Sequence, residues 1–295
     1  MKISIHSGLG NQLFQYTFYH YVMKSRGDNR RIKIISSNTA RMDRPFEITE
    51  LLNYCSHFSR VSSEFSTNKL GILKKYILDY FFQFKETREF RFEKSSLSMI
   101  SRFSHVYGYF QNWEYVEDTF FIIGSEIESY LKTIDVSAVK IPNKYIGIHV
   151  RRGDNLFTLK TMGSLSSNYY KSALMKISEE NKLPVVVFTD DLKGASDVLE
   201  TISPDYIFGP NDLSVWQSLK LMANSDYLIT ANSTFSWWAA ILGFKSKRIK
   251  RVIIPDPWFR DWETPILDAF QYPGFEVKKS EFIQEDKFVT DYTII

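Results

Sequence analysis

The apolar positions of this chain change period at short, regular intervals. Over residues 2–27, KISIHSGLGNQLFQYTFYHYVMKSRG, an alternating run passes through a glycine turn into apolar positions at Leu13, Phe14, Phe18, Tyr21 and Val22. Alternation marks a strand and a three-to-four spacing marks one helix face, so this opening reads as the first half of a βα unit. A second strand, RIKIISS, follows at 31–37. The stretch from Lys69 to Phe92, dense in lysine, leucine and aromatics and without clear turn signals, predicts helices. KYIGIHVRRGD (144–154) returns to strand character, SNYYKSALMKISEENK (167–182) to helix, and PVVVFTDD (184–191) to a buried strand ending in two carboxylates. A helix near 194–201, the segment DYIFGP, a helix at 214–226, the strand YLITA, the polar turn NST, the helix FSWWAAILG and the strand RVIIPDPW complete the walk. Strands alternating with helices over short loops predict an α/β fold with parallel sheets, Rossmann-like from 145 to 254, with a domain boundary within 134–144.

In open parallel sheets the ligand crevice lies beyond the carboxyl ends of the strands. Four polar clusters fall there: GLGN (8–11), HVRRGD (149–154), TDD (189–191) and NSTFS (232–236). Alternation along β-structure puts Ile146, Ile148 and Val150 on one face and Gly147, His149 and Arg151 on the other, so Arg151 emerges at the crevice. A guanidinium fork there suits phosphate oxygens; the alternative is a structural ion-pair cluster of Arg151, Arg152 and Asp154. Ser233 and Thr234 precede a helix, where they either cap it or help its N–H groups bind phosphate. The carboxylates of TDD can accept from the N1–H and N2–H₂ of guanine or cap the next helix. Trp237 and Trp238 read as core before ligand stacking, and His6 and His20 as structural histidines. GLGNQLFQ has two glycines only, short of a dinucleotide fingerprint, and no P-loop occurs. Asn11 and Gln12 add polar groups at that helix start.

Composition narrows the field. Cys55 is the single cysteine, which removes disulfide frameworks and cysteine-held metals and points to a reducing compartment. A net charge of +3 does not describe a nucleic-acid-binding face. Charge is local: KSKRIKR at 245–251 carries five cations in seven positions. With no apolar run of membrane-spanning length and the alternating start MKISIHS, the expected location is the cytoplasm. Metal-dependent nucleotide-sugar enzymes commonly carry an Asp-x-Asp pair; the chain has none, DWE at 261–263 being the nearest approximation.

Taken in order, GLGNQLFQY, GYFQNWEY, HVRRGD, VFTDD and NSTFSWWAAILG, spanning residues 8–243, resemble the α-1,2-fucosyltransferases of glycosyltransferase family 11. HxRRxD alone is shared with other fucosyltransferase families, whereas GLGNQLFQ together with STFSWWAA is narrow. The resemblance implies a GT-B-like fold of two Rossmann-like domains facing a central cleft: an acceptor-side domain over 1–138 and a GDP-fucose-binding domain over 139–295, its last segment packing back on the first. It further implies GDP-fucose as donor, a terminal β-galactoside as acceptor, and transfer with inversion that needs no cofactor or divalent metal. Arg151 matches the arginine that binds the β-phosphate and stabilises departing GDP. His149 and Asp154 match positions that shape the nucleotide pocket, Ser233 and Thr234 those that contact the diphosphate, with the backbone of Phe235. Asp190, rather than Asp191, matches the aspartate that reads guanine, and Gly10 and Asn11 a turn facing donor and acceptor. Arg151, Asn11 and Asp154 are thus the catalytic candidates. The general base is open: some related enzymes place a glutamate just beyond HxRRxD, but NLFTLKTMG holds none, and Asp154 and His6 are weak substitutes.

Such enzymes in bacteria build surface polysaccharide or O-antigen repeats on lipid carriers. The cationic and aromatic segments then have two readings, a peripheral contact with the inner leaflet or a solvated face over a packed core. Two rivals to the fucosyltransferase reading stand: a GDP-sugar transferase with another linkage or acceptor, and a nucleotide- or glycan-binding module without catalysis.

Overall fold

The structure is a computed structural model that describes residues 2–26, 33–36, 46–55, 61–63, 83–85, 100, 104–153, 162–260 and 267–283. The chain divides into two compact units, Met1–Thr133 and Ile134–Ile295.

The first unit is a parallel sheet of five strands: β1 (Lys2–Ile5), β2 (Lys33–Ser36), β3 (Val61–Ser63), β4 (Gln83–Lys85) and β5 (His105–Tyr107), in the order β3-β2-β1-β5-β4. Its helices are α1 (Leu9–Arg26), α2 (Thr49–Tyr54) and α3 (Trp113–Thr133). The five apolar positions expected on one face of α1 are buried, and so are Tyr16 and Tyr19, so the middle of this helix has no wet side. Phe18 and Tyr21 meet Tyr115 of α3 edge-on at 5.3 and 5.0 Å, while the Tyr16 hydroxyl donates to Glu126 at 2.7 Å. Aromatic abundance is thus spent largely on packing.

One expectation is corrected here. Residues 83–85, inside the stretch read as helical, form β4, with Gln83 opposite His105 and Lys85 opposite Tyr107. Pairing with β5 decided the conformation of a segment whose composition carries no clear period. The rest of 69–92 lies outside the described residues.

The second unit holds β6 (Ile146–Val150), α4 (Ser167–Ser178), β7 (Val185–Thr189), α5 (Ser196–Ile202), β8 (Tyr206–Phe208), α6 (Val215–Ala223), β9 (Tyr227–Ile229), α7 (Thr234–Lys245), β10 (Arg251–Asp256), α8 (Leu267–Phe270) and β11 (Glu276–Lys279). All six strands are parallel, in the order β11-β10-β9-β6-β7-β8. The chain starts in the centre with β6, walks out to β8, and returns beside β6 as β9 before walking the other way. That reversal leaves a switch point between β6 and β9, where the connections leave toward opposite faces of the sheet. Ile146, Ile148 and Val150 pack with Tyr169, Tyr170, Ile229 and Ile253 in the core beneath it. α7 is buried from Ser236 through Gly243, which explains why FSWWAAILG shows no polar face. Trp237 and Trp238 are fully buried and meet edge-on at 5.7 Å, the core role expected of them.

The cationic run 245–251 is largely engaged within this unit. Lys245 sits over the Tyr272 ring at 5.6 Å, Arg248 donates to Asn224 at 2.8 Å, Lys250 pairs with Asp226 at 3.1 Å, and Arg251 pairs with Glu276. Among the described residues, no helix is long and apolar enough to cross a membrane. The terminal residues expected to pack back on the first domain lie, from 284 on, outside the described residues.

Candidate active site

The two arginines of HVRRGD part company at the end of β6. Arg152 is fully buried, and its guanidinium donates from Nε to the Gly194 carbonyl at 2.8 Å, from Nη1 to the Leu165 carbonyl at 2.9 Å, and from Nη2 to Asp197 at 3.1 Å. A buried charge survives only when paired and hydrogen-bonded, and Arg152 meets that condition by tying the post-β6 turn to the first turn of α5. Arg152 thus has a structural ion pair, with Asp197 in place of the Asp154 considered for this motif, which lies outside the described residues. Arg151 keeps its side chain partly exposed and pairs through Nη1 with Asp190 Oδ2 at 2.6 Å.

Asp190 is seated against the same turn. Its Oδ1 accepts the backbone N–H of Arg152 at 2.8 Å, and a Cβ added at Gly153 would lie 2.3 Å from its Oδ2. Glycine follows the two arginines because the carboxylate needs that space. Asp191 does something different. Its Oδ1 accepts the Gly194 N–H at 2.9 Å and closes the turn before α5, whose N-cap is Ala195 and carries no side-chain cap bond, so neither aspartate caps that helix.

Across the switch point, Ser233 precedes α7 in an extended conformation, φ −142° and ψ 125°, and its side chain makes no capping bond to the helix. Plain capping therefore does not account for this serine, and the positive end of the α7 dipole lacks its usual side-chain acceptor. Ser233, Thr234 and Phe235 are all half-buried. The Phe235 ring meets His149 edge-on at 5.9 Å, linking the start of α7 to the end of β6.

Buried polar atoms without partners gather at this end of the sheet. They include His149 Nδ1, Asn232 Oδ1, Ser164 Oγ and Ser166 Oγ. The Asn232 amide donates to the carbonyls of Met162 and Gly163, and the Leu165 carbonyl is held by Arg152, so residues 162–166 run beside the same opening. Each unsatisfied buried group costs about 1–3 kcal/mol, a cost that a bound polar ligand removes. Burial, reinforced by the Arg151 charge, pushes the His149 imidazole down to about 3, so it is neutral. Asn232 belongs to the polar turn NST but is not a site residue that the motifs single out; its position directly after β9 is the signal that could have found it.

Gly10 and Asn11 belong to the first unit. Gly10 is buried in the first turn of α1. The Asn11 amide donates to Ser7 Oγ at 2.9 Å, and its Oδ1 accepts from Gln111 at 2.5 Å. Gln12 Oε1 accepts the Ile48 N–H, Gln15 bridges the His6 N–H and the Gly108 carbonyl, and Glu47 accepts the Leu9 N–H. Ser7 takes φ of 69°, the left-handed turn from β1 into α1. His6 stacks on Tyr107 at 4.7 Å and meets Tyr109 edge-on at 5.0 Å; burial lowers its pKa to about 4, and its Nε2 has no partner. The GLGNQ turn is thus a hydrogen-bonded brace that also takes in Gln15 of GLGNQLFQY and Gln111 of GYFQNWEY. Asp154 and the DWE segment lie outside the described residues.

The structure therefore brings His149, Arg151, Asp190, Ser233, Thr234 and Phe235 together at one end of the second sheet, the end suited to a phosphorylated ligand. Among known proteins, the chain is 26% identical over 292 residues to the α-1,2-colitosyltransferase of Escherichia coli, covering 92% of this chain and 97% of the relative. It is 24% identical to the O-antigen biosynthesis glycosyltransferase WbnK of Escherichia coli, with 88% and 95% covered. A galactoside α-(1,2)-fucosyltransferase 1 from Alouatta belzebul matches at 27% over 125 residues, 40% of this chain and 34% of that one. Among solved structures, the fucosyltransferase NodZ from Bradyrhizobium superposes with a TM-score of 0.47 at 15% identity, over 88% of this chain and 96% of that one. The sequence model of glycosyl transferase family 11 matches residues 1–261, most of the chain, and the chain belongs to that family.

Proposed function

We propose that this glycosyltransferase moves fucose from GDP-β-L-fucose to the 2-OH of a terminal β-galactoside, making Fuc-α-1,2-Gal in surface polysaccharide or O-antigen synthesis. The observation that carries the proposal is that one end of one sheet holds both the Arg151 guanidinium, after β6, and an α7 N-terminus, after β9, that Ser233 does not cap. Both features favour a diphosphate: the helix end offers N–H groups and positive potential, and the guanidinium fork matches two phosphate oxygens. The shared α-1,2 linkage in the names of two relatives supports the linkage.

In this mechanism the diphosphate lies against Ser233, Thr234 and the backbone of Phe235. The acceptor 2-OH attacks the anomeric carbon opposite the nucleotide, the bond to the β-phosphate oxygen breaks, and Arg151 stabilises the charge that collects on departing GDP. Aimed positive groups of this kind act where charge develops and lower the barrier without a metal ion. The hydroxyl proton leaves to a protein base, to water or to a phosphate oxygen. His149, neutral and buried, shapes the nucleotide pocket rather than moving the proton.

A second donor reading follows from the Escherichia coli relative that matches nearly the whole chain and is named for colitosyl transfer. The test is GDP release in EDTA from GDP-fucose and from the corresponding colitosyl nucleotide, each with and without lactose, beside GDP-mannose and UDP-galactose. Lactose-stimulated release from GDP-fucose, with α-1,2 linkage in the product, is the expected outcome. Release from the colitosyl nucleotide alone moves the donor assignment. GDP binding without turnover of any donor across a glycan panel overturns the transferase proposal in favour of a binding module. Peripheral membrane contact is a separate proposal, read by sedimentation with anionic vesicles at low salt.

A further inference from the structure

We infer that Asp190 is a positioning residue for Arg151, a carboxylate that holds the guanidinium in place for the donor diphosphate instead of reading the base. The inference rests on the donor-site reading above. The register of the sheet creates the pair: β6 and β7 run parallel with Val150 opposite Thr189, so Arg151 and Asp190 are the next residues along each strand. They meet beyond the last rung at 2.6 Å.

Three features give Asp190 one orientation. Its Oδ1 is held by the Arg152 N–H at 2.8 Å, its Oδ2 by Arg151, and the absent side chain of Gly153 leaves the room that the carboxylate fills. Arg152, in turn, is locked into the core by Gly194, Leu165 and Asp197. Order thus passes from a rigid buried arginine, through a short aspartate with little freedom of its own, to the long side chain of Arg151. A guanidinium carries five N–H donors, so a contact with one carboxylate oxygen orients the fork without using all of them. One acceptor site on each Asp190 oxygen is taken by the protein, by the Arg152 N–H and by Arg151, and these two contacts turn the carboxylate toward the guanidinium.

The two roles for Asp190 predict opposite results. If it positions Arg151, Asp190→Asn lowers kcat on the order of 10²-fold, the cost of a small misplacement of a charge-stabilising group, without raising the donor KM. The GDP-to-ADP affinity ratio stays unchanged, and inorganic pyrophosphate binds more tightly because the competing carboxylate charge is gone. In an Arg151→Gln background the Asp190→Asn change adds nothing, since the group it acts through is absent. Gly153→Ala, which displaces the carboxylate without removing its charge, lowers kcat in the same direction. A thermal scan of each variant monitors folding.

A fall in the GDP-to-ADP ratio with kcat preserved overturns the inference and returns Asp190 to base reading. Multiplying effects in the Arg151→Gln, Asp190→Asn double variant overturn it also. If the wild-type protein turns over no donor, the transferase reading fails, and pyrophosphate titration by calorimetry still judges this one. Weaker binding in Arg151→Gln and tighter binding in Asp190→Asn support it, and equal affinity of Asp190→Asn and wild type overturns it.

Discussion

The two sheets of this protein share a plan and differ in how they account for their polar groups. Each starts with a central strand, β1 or β6, places later strands on both sides of it, and follows that strand with a turn beside a buried neutral histidine, His6 or His149. In the first unit most described groups after β1 satisfy one another, His6 Nε2 excepted: Ser7, Asn11, Gln12, Gln15, Glu47 and Gln111 form a bonded brace. In the second, the end of the sheet carries an ion-paired arginine, a helix start without its side-chain cap, and several buried polar atoms without partners. Topology offers a crevice in each unit. Whether a given turn acts as a brace or as a ligand site depends on which polar groups the fold leaves unsatisfied.

Substitutions should therefore cost stability where groups are closed and turnover where they are open, and adjacent residues test this most sharply. Arg152→Met removes one partner of a buried pair and strands the Gly194 and Leu165 carbonyls, so it should destabilise the second unit by about 3–5 kcal/mol in urea unfolding. Arg151→Lys, one position earlier, should leave the unfolding curve in place and lower kcat on the order of 10²-fold, because a compact ammonium cannot make the forked contact. A stable, slow Arg152→Met variant would break the comparison. So would an Arg151→Lys variant with near-normal turnover.

A smaller effect is expected in the first unit. Asn11→Ala deletes the bonds to Ser7 and Gln111 and should lower stability by about 1–2 kcal/mol, with GDP affinity unchanged. Loss of GDP affinity at full stability would give Asn11 the ligand-facing role that its motif implies.

The alternation of YIGIHVRRGD was enough to place Arg151 beyond a buried strand, and the strand end of VVVFTDD was enough to place Asp190 in the same layer. Opposite roles for Arg151 and Arg152 were not legible in this way. Neighbouring arginines look alike in a sequence, and burial of the second depends on Asp197, 45 positions on. Asn11 shows the same limit, since its partner Gln111 stands 100 residues away. Among the elements, the strands and helices from 146 to 256, except β8 in DYIFGP, were readable because their loops are short and their periods clean. β4 and β5 were not, since QFK and HVY are three residues each and owe their conformation to a neighbouring strand. β11, half-exposed EVKK, has no alternation to read.

The histidines allow the finest comparison. Both have pKa values lowered by burial, His6 to about 4 and His149 to about 3, from an ordinary value of 6.5. A group whose folded pKa is lowered binds more protons when unfolded, so its contribution to stability is complete above the unfolded value and is lost as pH falls toward the folded one. At about pH 5.5 each site should have lost about 1 kcal/mol, a decline that His6→Phe and His149→Phe should flatten separately in thermal scans. The two sites differ in one cause, because the Arg151 charge adds to burial at His149 and no comparable cation is among the causes at His6. Arg151→Gln should therefore raise the His149 pKa and leave that of His6 unmoved, read from the ring proton resonances across the titration. An equal shift at both histidines would mean that the substitution loosens the fold, and the distinction between a charged open site and a neutral closed one would have to rest on hydrogen bonding alone.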